Sequence, residues 1–195
     1  MIASLLLRLI FWLWFGAALA AGHYLVLQRL PPWAPQAIIA SLTAVLLLAY
    51  FRMGAVRAWI DSLDLRLLVL LHLTRFVGVY FLVLHRDGLL PYAFAIPGGI
   101  GDIIVAAMAL PVAFAPLEPG PRLRVTTIWN VVGLVDILMV VGTAVRLNLA
   151  DPMQLRALTI LPLSLLPTFL VPLIIASHVV IFARLARERQ DAAGA

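Results

Sequence analysis

Apolar residues in this chain run in long, nearly unbroken stretches. They do not follow the half-polar periodicity of helices or strands in a soluble fold. Six stretches stand out, at roughly 4–27, 34–51, 65–84, 91–115, 125–146 and 157–183. Each is close to or above the ~20 residues a helix needs to cross a bilayer. Turn and charge signals separate them: Pro31-Pro32, Arg52 to Asp64, His85-Arg86-Asp87-Gly88, Pro116 to Pro121, and Asn148 to Pro152. The predicted fold is all-α, a polytopic membrane bundle of about six spans forming one transmembrane domain over residues 1–195. The segment Arg52 to Asp64, with Trp59, Asp61 and Asp64, reads as a short interfacial amphipathic stretch. The polar tail from Arg184 is expected to fray. No internal repeat is visible.

Composition agrees with this reading. The chain is 64% hydrophobic, against about 45–50% in soluble domains. All 14 basic residues are arginine, and lysine and cysteine are absent. The missing lysine excludes a retinal or pyridoxal imine and a phosphate-loop lysine. The missing cysteine excludes disulfides, thiolate metal sites and thiol nucleophiles. The net charge of +5 is spread over loops and tails without a basic face or aromatic platform, so no nucleic-acid partner is expected.

Residues 1–27 have some marks of a signal peptide, namely Arg8, an apolar run and the small-residue stretch Ala18-Leu19-Ala20-Ala21. The apolar run from Leu9 to Leu27 is longer than a usual signal core, so it is expected to stay as the first span. With six spans both termini share a side. That side collects Arg8, Arg52, Arg57, Arg66, Arg122, Arg124, Arg184, Arg187 and Arg189, and the other has Arg29, Arg86, Arg146 and Arg156. Nine against four favours cytoplasmic termini, in an inner (cytoplasmic) membrane of bacterial type. Trp12, Trp14, Trp33, Trp59 and Tyr92 are candidate interface anchors.

Arg75 lies about ten residues inside the third run, where a charge costs roughly 3 to more than 10 kcal/mol unless it is paired or wet. At about 1.5 Å per residue, Asp102 and Asp136 fall at the same depth, each eleven residues into its run. One arginine against two acids leaves one carboxylate able to carry an exchangeable proton. His72 shares a face with Arg75, and Asn130 and His178 fall beside His72 about one to two turns toward the termini. Trp129 shares the face of Asp136.

The segment Ile96-Pro97-Gly98-Gly99-Ile100-Gly101-Asp102 sets a proline and three glycines in mid-span. A kink or break is expected there. A break would expose a half-helix N-terminus at Gly98, Gly99 and Gly101, an end suited to an anionic group. The segment follows no strand and has no lysine, which argues against a phosphate loop. Gly78, Gly133 and Gly142 read as close helix-packing positions. Pro162, Pro167 and Pro172 are expected to bend the sixth span.

The functional expectation is proton-coupled handling or transport of a small solute, with an anionic head among the candidates. Arg75, Asp102, Asp136 and His72 form its proton-handling core. Gly98, Gly99, Gly101, Trp129, Asn130 and His178 line the approach. The expected partners are the lipid bilayer and a small-molecule or lipid ligand. A homodimer is a candidate assembly, because the chain is small for a transporter. Three rival readings remain open. One is an intramembrane enzyme on a lipid-soluble substrate, with His72 or Asp102 as base. The second is a haem b electron carrier, ligated by His72 and His178 and by a second pair, His23 and His85. The third is a structural subunit whose charges only fix assembly.

Overall fold

The computed structural model describes residues 2–194, with side chains from 5 to 190. Ala195, the end of the expected polar tail, lies outside the described residues. Among the described residues all regular structure is helical. The helices are α1 (Ile2–His23), α2 (Ala34–Arg52), α3 (Gly54–Asp61), α4 (Leu65–Leu70), α5 (Val77–Arg86), α6 (Tyr92–Phe114), α7 (Pro119–Ala150) and α8 (Val171–Gly194). Six helical stretches are long and apolar enough to cross a membrane: Leu5–His23, Ala34–Arg52, Leu65–Arg86, Tyr92–Phe114, Pro119–Ala150 and Leu166–Gln190. The chain is an integral membrane helical bundle.

The sixth span is the core element. Its apolar window is 61% buried inside the protein, against 11% for α1 and for α2. It packs on α2 and α7, while α6 packs on α5 and α7. One apolar cluster fills the half of the bundle away from the termini, around Phe81, Phe94, Ile137 and Ile174. A second fills the terminal half, around Val69, Val105, Trp129 and Ile181.

The expected break in the fourth span is absent. Helix α6 runs unbroken through Pro97 and the three glycines that follow. A proline removes only one helical hydrogen bond, and close packing of this stretch on both neighbours holds the helix together. A Cβ on Gly99 would sit 2.8 Å from the Gly78 carbonyl oxygen, and one on Gly98 would sit 3.2 Å from Val140. Gly142, by contrast, meets nothing within 4 Å and is not a packing glycine.

The irregular backbone lies in the third and sixth spans instead. Residues Leu71–Phe76 form a 3₁₀ segment between α4 and α5. The Thr74 hydroxyl donates to the Leu71 carbonyl at 2.8 Å, and such a bond competes with the regular helical ladder. With three residues per turn, His72 and Arg75 eclipse on one face. The sixth span is regular only from Val171. Before it, Pro152–Thr159 is 3₁₀ and Leu166–Leu170 is a wide π turn. The expected start near residue 157 is therefore too early.

Pro172 has no N–H for the carbonyl of Thr168. The indole N–H of Trp14 donates to that carbonyl at 2.9 Å. Trp14 also stacks on Phe169, so it is a helix-packing residue and not an interface anchor.

The expected fraying of the tail is likewise corrected. Helix α8 extends to Gly194, and its arginines are tied down. Arg184 donates to the Leu63 carbonyl at 2.8 Å, Arg187 to Asp61 at 2.9 Å and to the Tyr50 hydroxyl at 2.8 Å, and Arg189 to the Thr127 hydroxyl at 2.9 Å. Asp61 thereby joins the amphipathic α3 to the last span. Partial burial opposes its charge, but the Arg187 and Tyr50 hydrogen bonds outweigh this and hold its carboxyl below the ordinary value.

Candidate functional site

Three helical elements meet at Arg75: the 3₁₀ segment that carries it, α6 and α7. The 3₁₀ segment points its guanidinium inward, where it is 1% exposed. Nε donates to Asp102 Oδ1 of α6 at 2.6 Å and Nη1 to the Gly133 carbonyl of α7 at 2.9 Å. Nη2 donates to Asp136 Oδ2 of α7. The three charges expected at one depth therefore meet directly, and every guanidinium nitrogen has an acceptor. Asp102 is 3% exposed, whereas the Asp136 side chain retains 20% of its exposure.

The glycines make room for this arrangement and do not bind an anion. Because α6 is unbroken, the expected half-helix end at Gly98, Gly99 and Gly101 does not exist. The space where a side chain on Gly101 would project is taken by the Asp136 carboxylate. A Cβ on Gly78 would run into the Gly99 carbonyl oxygen and come within 2.9 Å of Asp102 Cβ. Small residues here bring α5, α6 and α7 close enough for one guanidinium to reach both acids.

Beside this triad, toward the termini, lies a neutral polar group. His72, Asn130 and His178 are each 0% exposed. The Asn130 amide donates to the His178 carbonyl at 3.0 Å, which turns its oxygen toward His178 Nδ1 at 2.7 Å. His178 Nδ1 is therefore the protonated nitrogen. The Ser177 hydroxyl gives its proton to the Ile174 carbonyl at 2.8 Å and so accepts from His72 Nε2 at 3.1 Å. Each ring is left with one buried nitrogen that makes no hydrogen bond, His72 Nδ1 and His178 Nε2. Trp129 stands edge-on to His72 with ring centres 4.9 Å apart. Its indole N–H donates to the Val105 carbonyl at 3.1 Å. The Ser177–His72 contact joins residues 105 apart in sequence, and no spacing rule reveals it. It is not a nucleophilic pair, because the serine proton is already held and no acid orients His72.

The histidines do not fit a haem. Two imidazoles on opposite faces of one iron aim their nitrogens at each other across roughly 4 Å, at about 2 Å per metal–nitrogen bond. Here the His72 and His178 rings touch, with centres 4.3 Å apart and planes tilted by 50°. The second expected pair does not assemble either. His85 Nδ1 is held by the Leu90 carbonyl at 3.0 Å, and the ring of His23 rests on Tyr24.

A cavity reaches the triad from the side opposite the termini. The cavity is open at its mouth. The buried Arg75 and Asp102 lie at its inner end, the exposed Thr74 also lines it, and its walls are apolar, with Phe81, Phe94, Ile137 and Leu170 among them. Gln36 and Asn148 lie at its outer end, where the Asn148 amide donates to the Pro32 carbonyl and ties α7 to the loop before α2. His72, Trp129, Asn130 and His178 do not line this cavity. A second, polar recess opens at the terminal end between Asp64, Arg122, Arg184 and Glu188. Val69, Trp129, Ile181 and Leu185 pack between it and the histidines.

Fold and site define an integral membrane helical bundle with a buried guanidinium–dicarboxylate centre at the foot of a mainly apolar cavity. Residues 31–186 match a family described as Domain of unknown function (DUF8737), and the chain belongs to that family. Every residue of the centre falls within the matched region, and only α1 and its following turn precede it. No curated protein and no solved structure matches the chain.

Proposed function

We propose that this protein carries a small, slender solute with one polar head across the membrane, coupled to proton movement at Arg75, Asp102 and Asp136. The observation that carries this reading is the mainly apolar cavity that ends on Arg75 and Asp102. A pocket of this kind suits a ligand with an apolar body and one polar group. The polar recess at the opposite end, closed off by Val69, Trp129, Ile181 and Leu185, supports transport over simple binding. Ionisable groups this deep in a bundle mark ion and substrate pathways. The arginine distribution supports termini in the cytoplasm, so the cavity would open to the outside of an inner membrane. His72 stands away from the cavity, which leaves an intramembrane enzyme using it as base without support.

The test is reconstitution into liposomes with an imposed pH gradient and a lumenal pH dye, challenged with six-carbon amines, alcohols and carboxylates. At least one class should collapse the gradient with the wild-type protein. Asp102→Asn and the cavity-filling Ala144→Phe should abolish that response. No response to any solute, or variants indistinguishable from wild type, would sink the reading.

A further inference from the structure

We propose that the cavity selects a cationic amphiphile, an ammonium head on a slender apolar body, and rejects anions. This rests on the proposed function and narrows its substrate class. The centre holds one guanidinium and two carboxylates, a formal charge of −1 with both acids ionised. Among the lining residues only Arg75 and Asp102 carry charge, so nothing in the cavity offsets that excess.

The two acids are not equivalent. Each uses one oxygen to accept from Arg75, Oδ1 of Asp102 and Oδ2 of Asp136. The other oxygen of Asp136 lies over Gly101, outside the cavity lining. Asp136 therefore balances Arg75, while Asp102, 97% buried and lining the cavity, faces the ligand with an oxygen that accepts nothing from the protein. Thr74, next to Arg75 in sequence and exposed on the bundle surface, also lines the cavity. Its hydroxyl proton is committed to the Leu71 carbonyl, so its oxygen can only accept. An ammonium has three donors and no acceptor, which matches a lining that offers two acceptors and surplus negative charge. A carboxylate or phosphate would find three of the five N–H groups of Arg75 engaged, two of them by carboxylates that already more than balance its charge. It would add like charge beside two carboxylates, which is strongly disfavoured.

The titratable groups around Asp102 are Arg75 on the third span and Asp136 on α7, with His72 below Arg75 and His178 of α8 against Gly133. Both histidines are neutral in the hydrogen-bond pattern above and supply no counter-charge.

The experiment compares hexylamine, hexanol and hexanoate, three heads on one body, binding to the full chain in neutral-lipid nanodiscs. Titration calorimetry is read against empty discs. The amine should bind about tenfold or more tighter than the carboxylate, with the alcohol between them. Asp102→Asn should bring the amine down to the level of the alcohol and leave the alcohol unchanged. Thr74→Val leaves the triad intact at an exposed position, and should weaken the amine alone. It decides the matter if Asp102→Asn does not fold. Equal binding of all three heads overturns the charge selection and leaves the proposed binding cavity standing. Tighter hexanoate overturns it in favour of an anion site. No binding above empty discs overturns both.

Discussion

Replacing Arg75 by methionine tests the energetic logic of the centre most directly. The guanidinium makes three hydrogen bonds, a buried one to Asp102, a buried one to the Gly133 carbonyl and a partly buried one to Asp136. A hydrogen bond to a charged group contributes about 1.5–3 kcal/mol. Removing one partner of a buried charge set costs about 3–5 kcal/mol, because the remaining charge has lost its compensation. Here two carboxylates would be stranded, so Arg75→Met is expected at the upper end of that range. The triple change Arg75→Met, Asp102→Leu, Asp136→Leu removes all the charges together. It should return to within about 2 kcal/mol of wild type, since apolar replacement of a whole buried ion set is often neutral. Reversible unfolding in mixed micelles, monitored by tryptophan fluorescence, reads both values. The reasoning fails if Arg75→Met unfolds within 1 kcal/mol of wild type, or if the triple variant is no more stable than the single one; the 1 kcal/mol bound is roughly the value of an exposed ion pair.

The two classes of glycine should separate cleanly. Gly101→Ala drives a methyl into the Asp136 carboxylate and should cost about 1–3 kcal/mol by overpacking. Gly142→Ala meets nothing and should be neutral or stabilising by up to about 1 kcal/mol; equal effects in the same unfolding assay would refute the packing account. Asn130→Leu leaves His178 Nδ1 and the His178 carbonyl without their partner and should destabilise by about 1–3 kcal/mol, which an unchanged melting temperature would contradict. Asp61 has a depressed carboxyl in the folded state, so the stability it contributes is fully present above its unfolded value, near 3.9, and is lost as pH falls through the lower folded value. Stability profiles of wild type and Asp61→Asn between about pH 2 and 6 should therefore converge at the acid end, and parallel profiles would rule out the Asp61–Arg187 tie.

The depth of each charged group was legible in the sequence to a useful degree. Arg75, Asp102 and Asp136 could be set in one layer because helical rise is a local property, the same in every span. The segment Gly98 to Asp102 misled for the complementary reason. Glycine and proline weaken an isolated helix, but the carbonyl of Gly78 and the side chain of Val140 close around this one and keep it whole. The irregular backbone lies at Leu71–Phe76, where the Thr74 hydroxyl bonds the Leu71 carbonyl, and ahead of Val171 in the sixth span. His72 and His178 were correctly brought to one depth. Their separation, which decides between a haem site and a packed neutral pair, depends on how far apart two helix axes lie.

The chain's apolar runs alone determine that it is a six-span membrane bundle with its charges at mid-depth, because bilayer thickness and helical rise convert residue number into depth. Only the tertiary structure decides which side chains face one another at that depth. That depends on helix rotation and neighbour choice, set jointly by residues far apart in sequence. Ser177 reaching His72, Arg187 holding Asp61, and the apolar cavity ending on Asp102 are products of that packing.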